Sequence, residues 1–247
     1  MRIELVNSRE ELLKHGRITG AGLQNTTLKK KVIDAFDNIT DDKSKNLRES
    51  VWGSPHTSVF EFIDLTFLVE DVSLVVELFL IQFRFASYNI KSRRYVDFSE
   101  QGFHVPELKF NKNLSPEETN NVYTLVNSEI KKRFEDYNKL INSGETREDA
   151  RHILPLCLNS NIIFKMNIIE LVKMIKAGYE SKIKEIADFC LTIRNMCNEV
   201  FGEMMEDLIF NGFVESGADL DLEGIKIYPT DPISELTQSF RGMNVLS

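Results

Sequence analysis

Residues 82–95 read QFRFASYNIKSRRY and combine cationic, hydroxyl and amide side chains without a helical or strand period. The guanidinium groups keep their charge and offer forked donors that suit phosphate or carboxylate. The serines add hydroxyl donors, and the asparagine adds an amide that can contact a base or ring edge. These side chains are Arg84, Ser87, Asn89, Ser92, Arg93 and Arg94. Such a composition fits either a solvated surface loop or an anion-binding segment.

Regular elements are predicted immediately before this stretch. Apolar side chains alternate with mostly polar ones at Ile63, Leu65, Phe67 and Val69, a pattern typical of a strand with one buried face. The following residues 72–83 are apolar on nearly every side and predict a helix at the centre of a core.

Helices are predicted after it as well. Ser115-Pro116-Glu117-Glu118 has the spacing of a capping box and begins a long helix that should end near Gly144. Further helices are predicted over residues 146–154, 167–176 and 180–200.

At the N-terminal end, a strand is predicted over residues 3–6, and Ser8 caps a short helix. Residues 25–50 have a helical pattern whose apolar face would comprise Val32, Ile33, Phe36 and Ile39. Strands and helices in this order, without an internal repeat, predict one α+β domain over residues 1–247 with a loosely packed tail from about residue 215.

Composition excludes several classes of protein. The chain has 247 residues, 42% of them hydrophobic, and a net charge of −8, values typical of a globular protein and unfavourable for general nucleic-acid binding. No apolar run is long enough to predict a membrane span, and the charged N-terminus does not resemble a signal peptide. Three cysteines without close spacing predict reduced thiols in the cytoplasm. His104 and His152 lack partners at ligand spacing, so no metal site is predicted.

The spacing of residues 82–95 resembles the signature of the flavin-dependent thymidylate synthases. In that family Arg-His-Arg is followed by seven residues, a Ser and then Arg-Tyr; here the frame reads Gln82-Phe83-Arg84, seven residues, Ser92 and Arg94-Tyr95. Upstream, residues 56–62 resemble the family's His-x-x-x-Phe-Glu-His run. Downstream, residues 150–155 resemble its Ala-Arg-x-x-Leu-Pro run, and Asn167 falls where the family has an Asn. The resemblance extends from about residue 18 to 200.

This resemblance implies an α+β fold with a mixed sheet and a helical bundle. It also implies a homotetramer in which each active site draws residues from several chains, with the helix at 72–83 and the long helix from Pro116 supplying interfaces. The implied reaction is the reductive methylation of dUMP to dTMP, with methylenetetrahydrofolate as carbon donor, NADPH as electron donor and FAD as hydride carrier. Two alternatives remain: a relative that acts on another uridine-type nucleotide, and a non-catalytic relative that keeps the fold for binding or assembly.

The resemblance also assigns residues to ligands. FAD would be bound by His56, Ser58, Glu61, Arg84, Asn89 and Asn167. The uridine-type nucleotide monophosphate would be bound by Ser87, Ser92, Arg94 and Arg151, of which Ser92 and the two arginines would face the phosphate. Without the resemblance, the pattern around His56 favours a half-buried turn histidine that caps backbone groups. No side chain is assigned as a covalent nucleophile, because the family reaction uses none.

Several positions depart from the family pattern. Gln82 and Phe83 replace an Arg and a His that help to hold the flavin, and Ile90 replaces an acidic residue. Gln24 stands where the family has a cofactor-contacting Ser. Residues 177–186 contain no Arg to bind the uracil ring, although Lys182 is available in place of the family's His. These departures predict FAD binding weaker than that of a family member with the intact motif.

Overall fold

The computed structural model describes residues 1–27, 31–51, 57–105 and 107–201. All of them lie within one compact unit, Met1–Phe213. The tail predicted from about residue 215 lies outside the described residues, and so does His56. None of the described helices is both long and apolar enough to cross a membrane.

A four-stranded sheet forms the centre of the described fold. Its strands are β1 (Arg2–Leu5), β2 (Asp64–Ser73), β3 (Ala86–Ile90) and β4 (Asn159–Asn167). Their spatial order is β1-β2-β4-β3, and each neighbouring pair is antiparallel. The predicted α+β class is confirmed, but the described sheet is antiparallel instead of mixed. Strand direction depends on how the intervening helices return the chain to the sheet, and local residue patterns do not encode that.

Eight α-helices are described around this sheet. They are α1 (Arg9–Thr27), α2 (Val32–Asn38), α3 (Asp41–Val51), α4 (Leu74–Leu80), α5 (Pro116–Asn142), α6 (Arg147–Ala150), α7 (Ile168–Tyr179) and α8 (Lys184–Phe201). Two 3-10 turns, Thr57–Phe62 and Arg151–Ile153, precede β2 and follow α6.

Alternation gives the sheet one buried face and one exposed face. Leu65, Phe67 and Val69 of β2 point to the buried face, where Phe67 stacks on Phe164 of β4 with ring centroids 5.0 Å apart. Helices α4, α7 and α8 cover this face and contribute most of the rest of the main core, to which Leu12, Phe60 and Ile63 also belong. A smaller core forms between α5 and the segment after β3, around Phe98, Phe134, Tyr137 and Leu158.

The predicted helix starts are confirmed by their caps. The Ser8 hydroxyl accepts from Glu11 N, the Glu11 carboxylate accepts from Ser8 N, and Ser115 and Glu118 form the same reciprocal box at α5. Gly144, at φ 93°, follows the end of α5, where a residue without Cβ tolerates the left-handed backbone. Helix α1 is nevertheless 19 residues long, well beyond the short helix predicted there.

Three sequence predictions need correction. Residues 86–90 form β3, although no strand period was recognised there, and β4 was not predicted at all. The central helix is shorter than residues 72–83, because β2 continues to Ser73 and that serine caps α4.

A further correction concerns the apolar face assigned to residues 25–50. Val32 and Ile33 are 51% and 71% exposed, whereas Ala35 and Ile39 are buried. Helix α2 has only seven residues, so it is too short to bury a full apolar stripe.

Candidate functional site

The exposed face of the sheet collects three of the predicted flavin-site and nucleotide-site residues. Ser87 pairs with Lys165, and Asn89 pairs with Ile163, so both side chains project on the face opposite the core. Asn167 is two residues beyond Lys165 and shares that face, since side chains alternate along a strand. Neighbouring strands lie about 4.8 Å apart, which places Ser87 and Asn167 beside the same lysine.

Lys165 is a cation within this group that sequence reasoning missed. Its ammonium pairs with the Asp64 carboxylate at 3.1 Å, and both groups are about half exposed. The signal was hidden because β4 itself was not recognised. A predicted strand there would have placed residues 163, 165 and 167 on one face.

Hydrogen-bond contacts of the Tyr88 hydroxyl hold the residues that precede β3. The Tyr88 hydroxyl donates to the carbonyls of Leu80 and Phe83, at 2.5 and 2.9 Å. Burial, with a smaller contribution from Glu170, raises the pKa of Tyr88 to about 12, so the hydroxyl keeps its proton for these bonds. The following Arg84 is exposed and its guanidinium is presented to solvent just before the exposed sheet face begins.

The 3-10 turn at 57–62 brings two further predicted residues to the same end of the sheet. Ser58 and Glu61 are exposed there, while Phe60 is buried and anchors the turn. Ile168 N donates to the Ile63 carbonyl at 2.8 Å, which ties the end of this turn to the start of α7. Asn167 caps α7 by accepting from Glu170 N at 2.9 Å, so its side chain has a structural contact as well.

Two of the predicted nucleotide residues, Ser92 and Arg94, lie in a tight loop after β3. Val96 N donates to the Ser92 carbonyl at 3.1 Å, and the Ser92 hydroxyl accepts from Arg94 N at 3.3 Å. Lys91 N donates to Asn161 O, which holds the start of the loop on β4. Residues 91–95 therefore form a turn with local order, and we call it the phosphate loop after the ligand group that the resemblance assigns to it.

Arg94 and Arg151 both lie near α6. The Arg94 guanidinium contacts the exposed Glu148 carboxylate at 2.8 Å, and this hydrogen bond raises the pKa of Arg94. Arg151 begins the 3-10 turn that follows α6, three residues after Glu148. Arg94 thus contacts α6 through Glu148, and Arg151 directly follows the last residue of α6.

Among the arginines of residues 82–95, Arg93 has a guanidinium that is mostly buried and paired with a buried carboxylate. It forms two contacts with the Glu77 carboxylate of α4, at 2.6 and 2.9 Å, and that carboxylate is only 5% exposed. The Ser160 hydroxyl of β4 donates to the same carboxylate at 2.6 Å. Glu77 was missed, although a lone acid in the apolar run VVELFLIQF was a visible signal.

Comparison with known proteins identifies the family. The sequence profile of the family described as "Thymidylate synthase complementing protein" matches residues 16–202. The chain belongs to this family. The resemblance to flavin-dependent thymidylate synthases that residues 82–95 carry is thereby confirmed.

Curated relatives within the family are distant. A flavin-dependent thymidylate synthase of Pyrococcus abyssi is 30% identical over 142 residues, which cover 56% of this chain and 55% of that protein. One from Pseudothermotoga lettingae is 27% identical over 167 residues, which cover 66% and 75%. The matched region thus spans about half the length of the Pyrococcus relative.

Solved structures agree on the fold. A UMP/dUMP methylase, PolB from Streptomyces cacaoi bound with 5-Br dUMP, superposes with a TM-score of 0.66 at 23% identity and covers 83% of this chain and 94% of that chain. Thymidylate synthase X from Helicobacter pylori, solved with FAD and dUMP, gives 0.61 at 16% identity and covers 85% and 100%. At these identities the likeness concerns the fold.

The positions that depart from the family pattern have other contacts in this chain. The Gln82 amide donates to the Leu78 carbonyl at 3.1 Å, and Phe83 packs edge-on against Phe79 with ring centroids 5.3 Å apart. Ile90 packs against the main core, and Gln24 is buried in α1. Lys182 lies between α7 and α8, where its carbonyl accepts from the Lys109 ammonium.

Among the described residues, no group of three His, Cys, Asp or Glu side chains is arranged to hold a metal ion.

Proposed function

We propose that this family member is a divergent flavin-dependent thymidylate synthase that methylates dUMP to dTMP, with methylenetetrahydrofolate and NADPH as co-substrates and FAD as cofactor. The observation that supports this most is that the residues assigned to the two ligands lie on two neighbouring surfaces. Of the described residues assigned to FAD, Asn89 and Asn167 lie at the exposed sheet face, Arg84 follows α4, and Ser58 and Glu61 lie in the 3-10 turn before β2. Most residues assigned to the nucleotide lie at the phosphate loop and next to α6. The five-residue strand β3 joins the two surfaces.

The phosphate of the nucleotide would be bound by Arg94 and Arg151, with the Ser92 hydroxyl as a third donor. Two fixed cations and a hydroxyl suit a phosphate dianion. Arg94 would exchange its contact with Glu148 for the phosphate, because that ion pair is solvent-exposed and therefore weak. Ser87 would contact the nucleotide from the neighbouring strand.

The donor set on the flavin side fits FAD in part. Arg84 offers an exposed cation suited to a diphosphate, and Asn89 and Asn167 offer amides suited to ring edges. Bound FAD would supply the hydride transfer, and the chain's part is to bind and orient it. The amide at position 82 contributes no charge, and losing one charged hydrogen bond should weaken FAD binding at least about tenfold relative to an intact motif.

Titration with FAD, followed by flavin fluorescence, tests this cofactor assignment. We expect the purified protein to be colourless and to bind added FAD saturably, and we expect Gln82→Arg to bind it more tightly than the parent. Absence of saturable binding at high micromolar FAD in both proteins would favour the non-catalytic relative.

The reaction itself is tested by supplying dUMP with methylenetetrahydrofolate, NADPH and FAD and measuring dTMP by chromatography. Formation of dTMP that requires all four components is the expected result. Flavin and dUMP binding without dTMP would contradict the proposed reaction.

A second candidate is methylation of another uridine-type nucleotide, UMP in the first instance. It is favoured by the fold likeness to a protein described as a UMP/dUMP methylase and by the altered residues Gln82, Phe83 and Ile90. The same assay with UMP in place of dUMP separates the two candidates.

We further propose a homotetramer in the cytoplasm. The exposed sheet face carries Leu68 and Ile163, which are 37% and 46% exposed, and Phe85 just before β3 is 72% exposed. Such apolar side chains on a sheet face are typical of a surface that another chain covers. Light scattering should give four times the 28.5 kDa chain mass, and a monomer at micromolar concentration would contradict the proposal. Free cysteines are compatible with a reducing compartment.

A further inference from the structure

We infer that Glu77 of α4 is a positioning residue that acts through Arg93 to set the geometry of the phosphate loop for the nucleotide phosphate. This inference rests on the proposed function, since it concerns the same nucleotide site. It assigns a role to an ion pair that neither the family signature nor the ligand assignments include.

The ion pair between Glu77 and Arg93 is bidentate, and we call it the clamp. Both Glu77 carboxylate oxygens are engaged by the two terminal nitrogens of Arg93, at 2.6 and 2.9 Å, and one of them also accepts from the Ser160 hydroxyl. The paired arrangement restricts the guanidinium in its plane as well as in distance. With the carboxylate 5% and the guanidinium 25% exposed, solvent screens this pair less than a surface ion pair.

The anchor side of the clamp is rigid. Helix α4 is fixed in the main core by Val76, Phe79 and Leu80, and Ser160 lies in β4 at the centre of the sheet. Glu77 is therefore held by two core elements at once. The position of Arg93 is defined relative to the sheet and not only relative to its own loop.

The loop side carries the ligand groups. Arg93 lies between Ser92 and Arg94, the two loop residues assigned to the phosphate, so fixing its side chain limits the movement of both neighbours. The exposed Arg94 is otherwise held by the exposed Glu148, a contact that phosphate would replace. The buried pair at Glu77 is then the contact that keeps the loop in place while its surface contact is exchanged.

The same helix also serves the flavin side. The Leu80 carbonyl of α4 accepts from the Tyr88 hydroxyl, which orders the residues before Arg84. Because Glu77 and Leu80 are one helical turn apart, α4 sets the phosphate loop and the flavin segment relative to each other. This gives the clamp a functional reason beyond stability.

The test uses a paired replacement, Glu77→Met with Arg93→Met. Removing one partner alone would leave an uncompensated buried charge, whereas replacing both with apolar residues of similar volume is often neutral for stability. Arg93→Lys is the second variant; it keeps the charge for Glu77 but loses the fork. The matched control is Arg17→Met with Asp41→Met, an ion pair of 2.9 Å between α1 and α3.

Binding of dUMP and of deoxyuridine, which lacks the phosphate, is measured by calorimetry. We expect the dissociation constant for dUMP to rise about tenfold in the Met pair, equivalent to about 1.4 kcal/mol, and less in Arg93→Lys, with deoxyuridine affinity changed less than about twofold. The control pair should leave both constants unchanged. An equal loss for the two ligands, or no loss for dUMP, would overturn the positioning role.

Hydrogen exchange separates this outcome from failure of the proposed function. Amides of residues 91–96 should exchange faster in the Met pair than in the parent, whether or not nucleotide binds. Unchanged exchange would overturn the clamp by itself. If the parent binds no dUMP while the Met pair still exchanges faster than the parent, the nucleotide function is rejected. The role of the clamp in phosphate binding is then rejected with it.

Discussion

Arg94→Ala and Arg151→Ala test the proposed nucleotide site at the scale of single residues. We expect each variant to weaken dUMP binding roughly ten- to a hundredfold, because each would remove one of the proposed charge-assisted phosphate contacts. Calorimetric titration with dUMP measures the change. Arg133→Ala, at an exposed position of α5, serves as the control and should bind dUMP like the parent. Unaltered affinity in the first two variants would show that these arginines are surface or structural residues that do not contact the nucleotide.

Tyr88 offers a second test at this scale. Tyr88→Phe removes the hydroxyl that donates to Leu80 and Phe83. We expect the free energy of unfolding to fall by about 1–2 kcal/mol and FAD affinity to fall as well, since Arg84 follows the released segment. Urea unfolding and FAD titration provide the two measurements.

The control for Tyr88 is Tyr123→Phe, which removes a hydroxyl that accepts from Leu108 N, away from the sheet face. It should leave FAD affinity unchanged. If both variants affected FAD equally, the hydroxyl of Tyr88 would have no local effect on the flavin segment.

The polar segment around Arg84, Ser87 and Asn89 was recognisable from sequence, and all three residues are exposed. Their assignment to ligands stays a prediction. The partner of Arg93 was not predictable, because Glu77 meets it only after α4 and the phosphate loop have packed together. Whether a guanidinium faces solvent or a buried carboxylate depends on tertiary contacts that spacing does not contain.

At the scale of elements, the contact between α7 and α8 depends on Gly178. A Cβ at this position would overlap the Cys190 sulfur, closer than any non-bonded contact allows. We expect Gly178→Ala to lower the free energy of unfolding by about 1–3 kcal/mol through overpacking. Chemical denaturation measures it, and adding Cys190→Ala should recover part of the loss.

Gly22→Ala is the matched control for this helix contact. Position 22 is also helical, but a Cβ there would have open space within 4 Å. Since alanine favours a helix over glycine by up to about 1 kcal/mol, this variant should be slightly more stable than the parent. Similar destabilisation of both variants would mean that backbone effects, not the sulfur contact, decide the result.

Elements with local stop and start signals were predictable, and elements defined by pairing were not. Helix α5 follows from Ser115, Pro116 and Gly144, which act within one turn of their own positions. Strand β3 has exposed polar residues on one face and only partly buried residues on the other, so the contrast between its two faces is weak in the sequence. Strand β4 becomes evident only when its partners β2 and β3 are known.

At the scale of the whole molecule, two buried thiols and one phenol make the free energy of unfolding decrease at alkaline pH. Burial raises the pKa of Cys190 and of Cys197 to about 12 each, and Tyr88 also reaches about 12. The unfolded chain would release these protons from about pH 9 for thiols and pH 10 for the phenol, while the folded chain keeps them. Stability is therefore full below pH 9 and is lost as the pH rises towards 12.

Urea unfolding between pH 7 and 11 measures this dependence. Each proton released only on unfolding contributes a slope of about 1.4 kcal/mol per pH unit. Cys190→Ala with Cys197→Ala should reduce the slope above pH 9, and the loss of packing in that variant should be the same at every pH. A slope equal to that of the parent would show that these thiols do not govern the alkaline transition.

The position of β3 at the border of the described sheet has a consequence for how this chain tolerates change. Positions 86, 88 and 90 face the hydrophobic interior, whereas positions 87 and 89 face outwards beside Lys165 and Ile163. Saturation mutagenesis of the strand should therefore show tolerance to substitution that alternates from one position to the next. Substitutions at positions 86, 88 and 90 should lower solubility and yield. Substitutions at positions 87 and 89 would alter ligand preference in well-folded proteins, so laboratory evolution could change recognition at these two codons without altering the core.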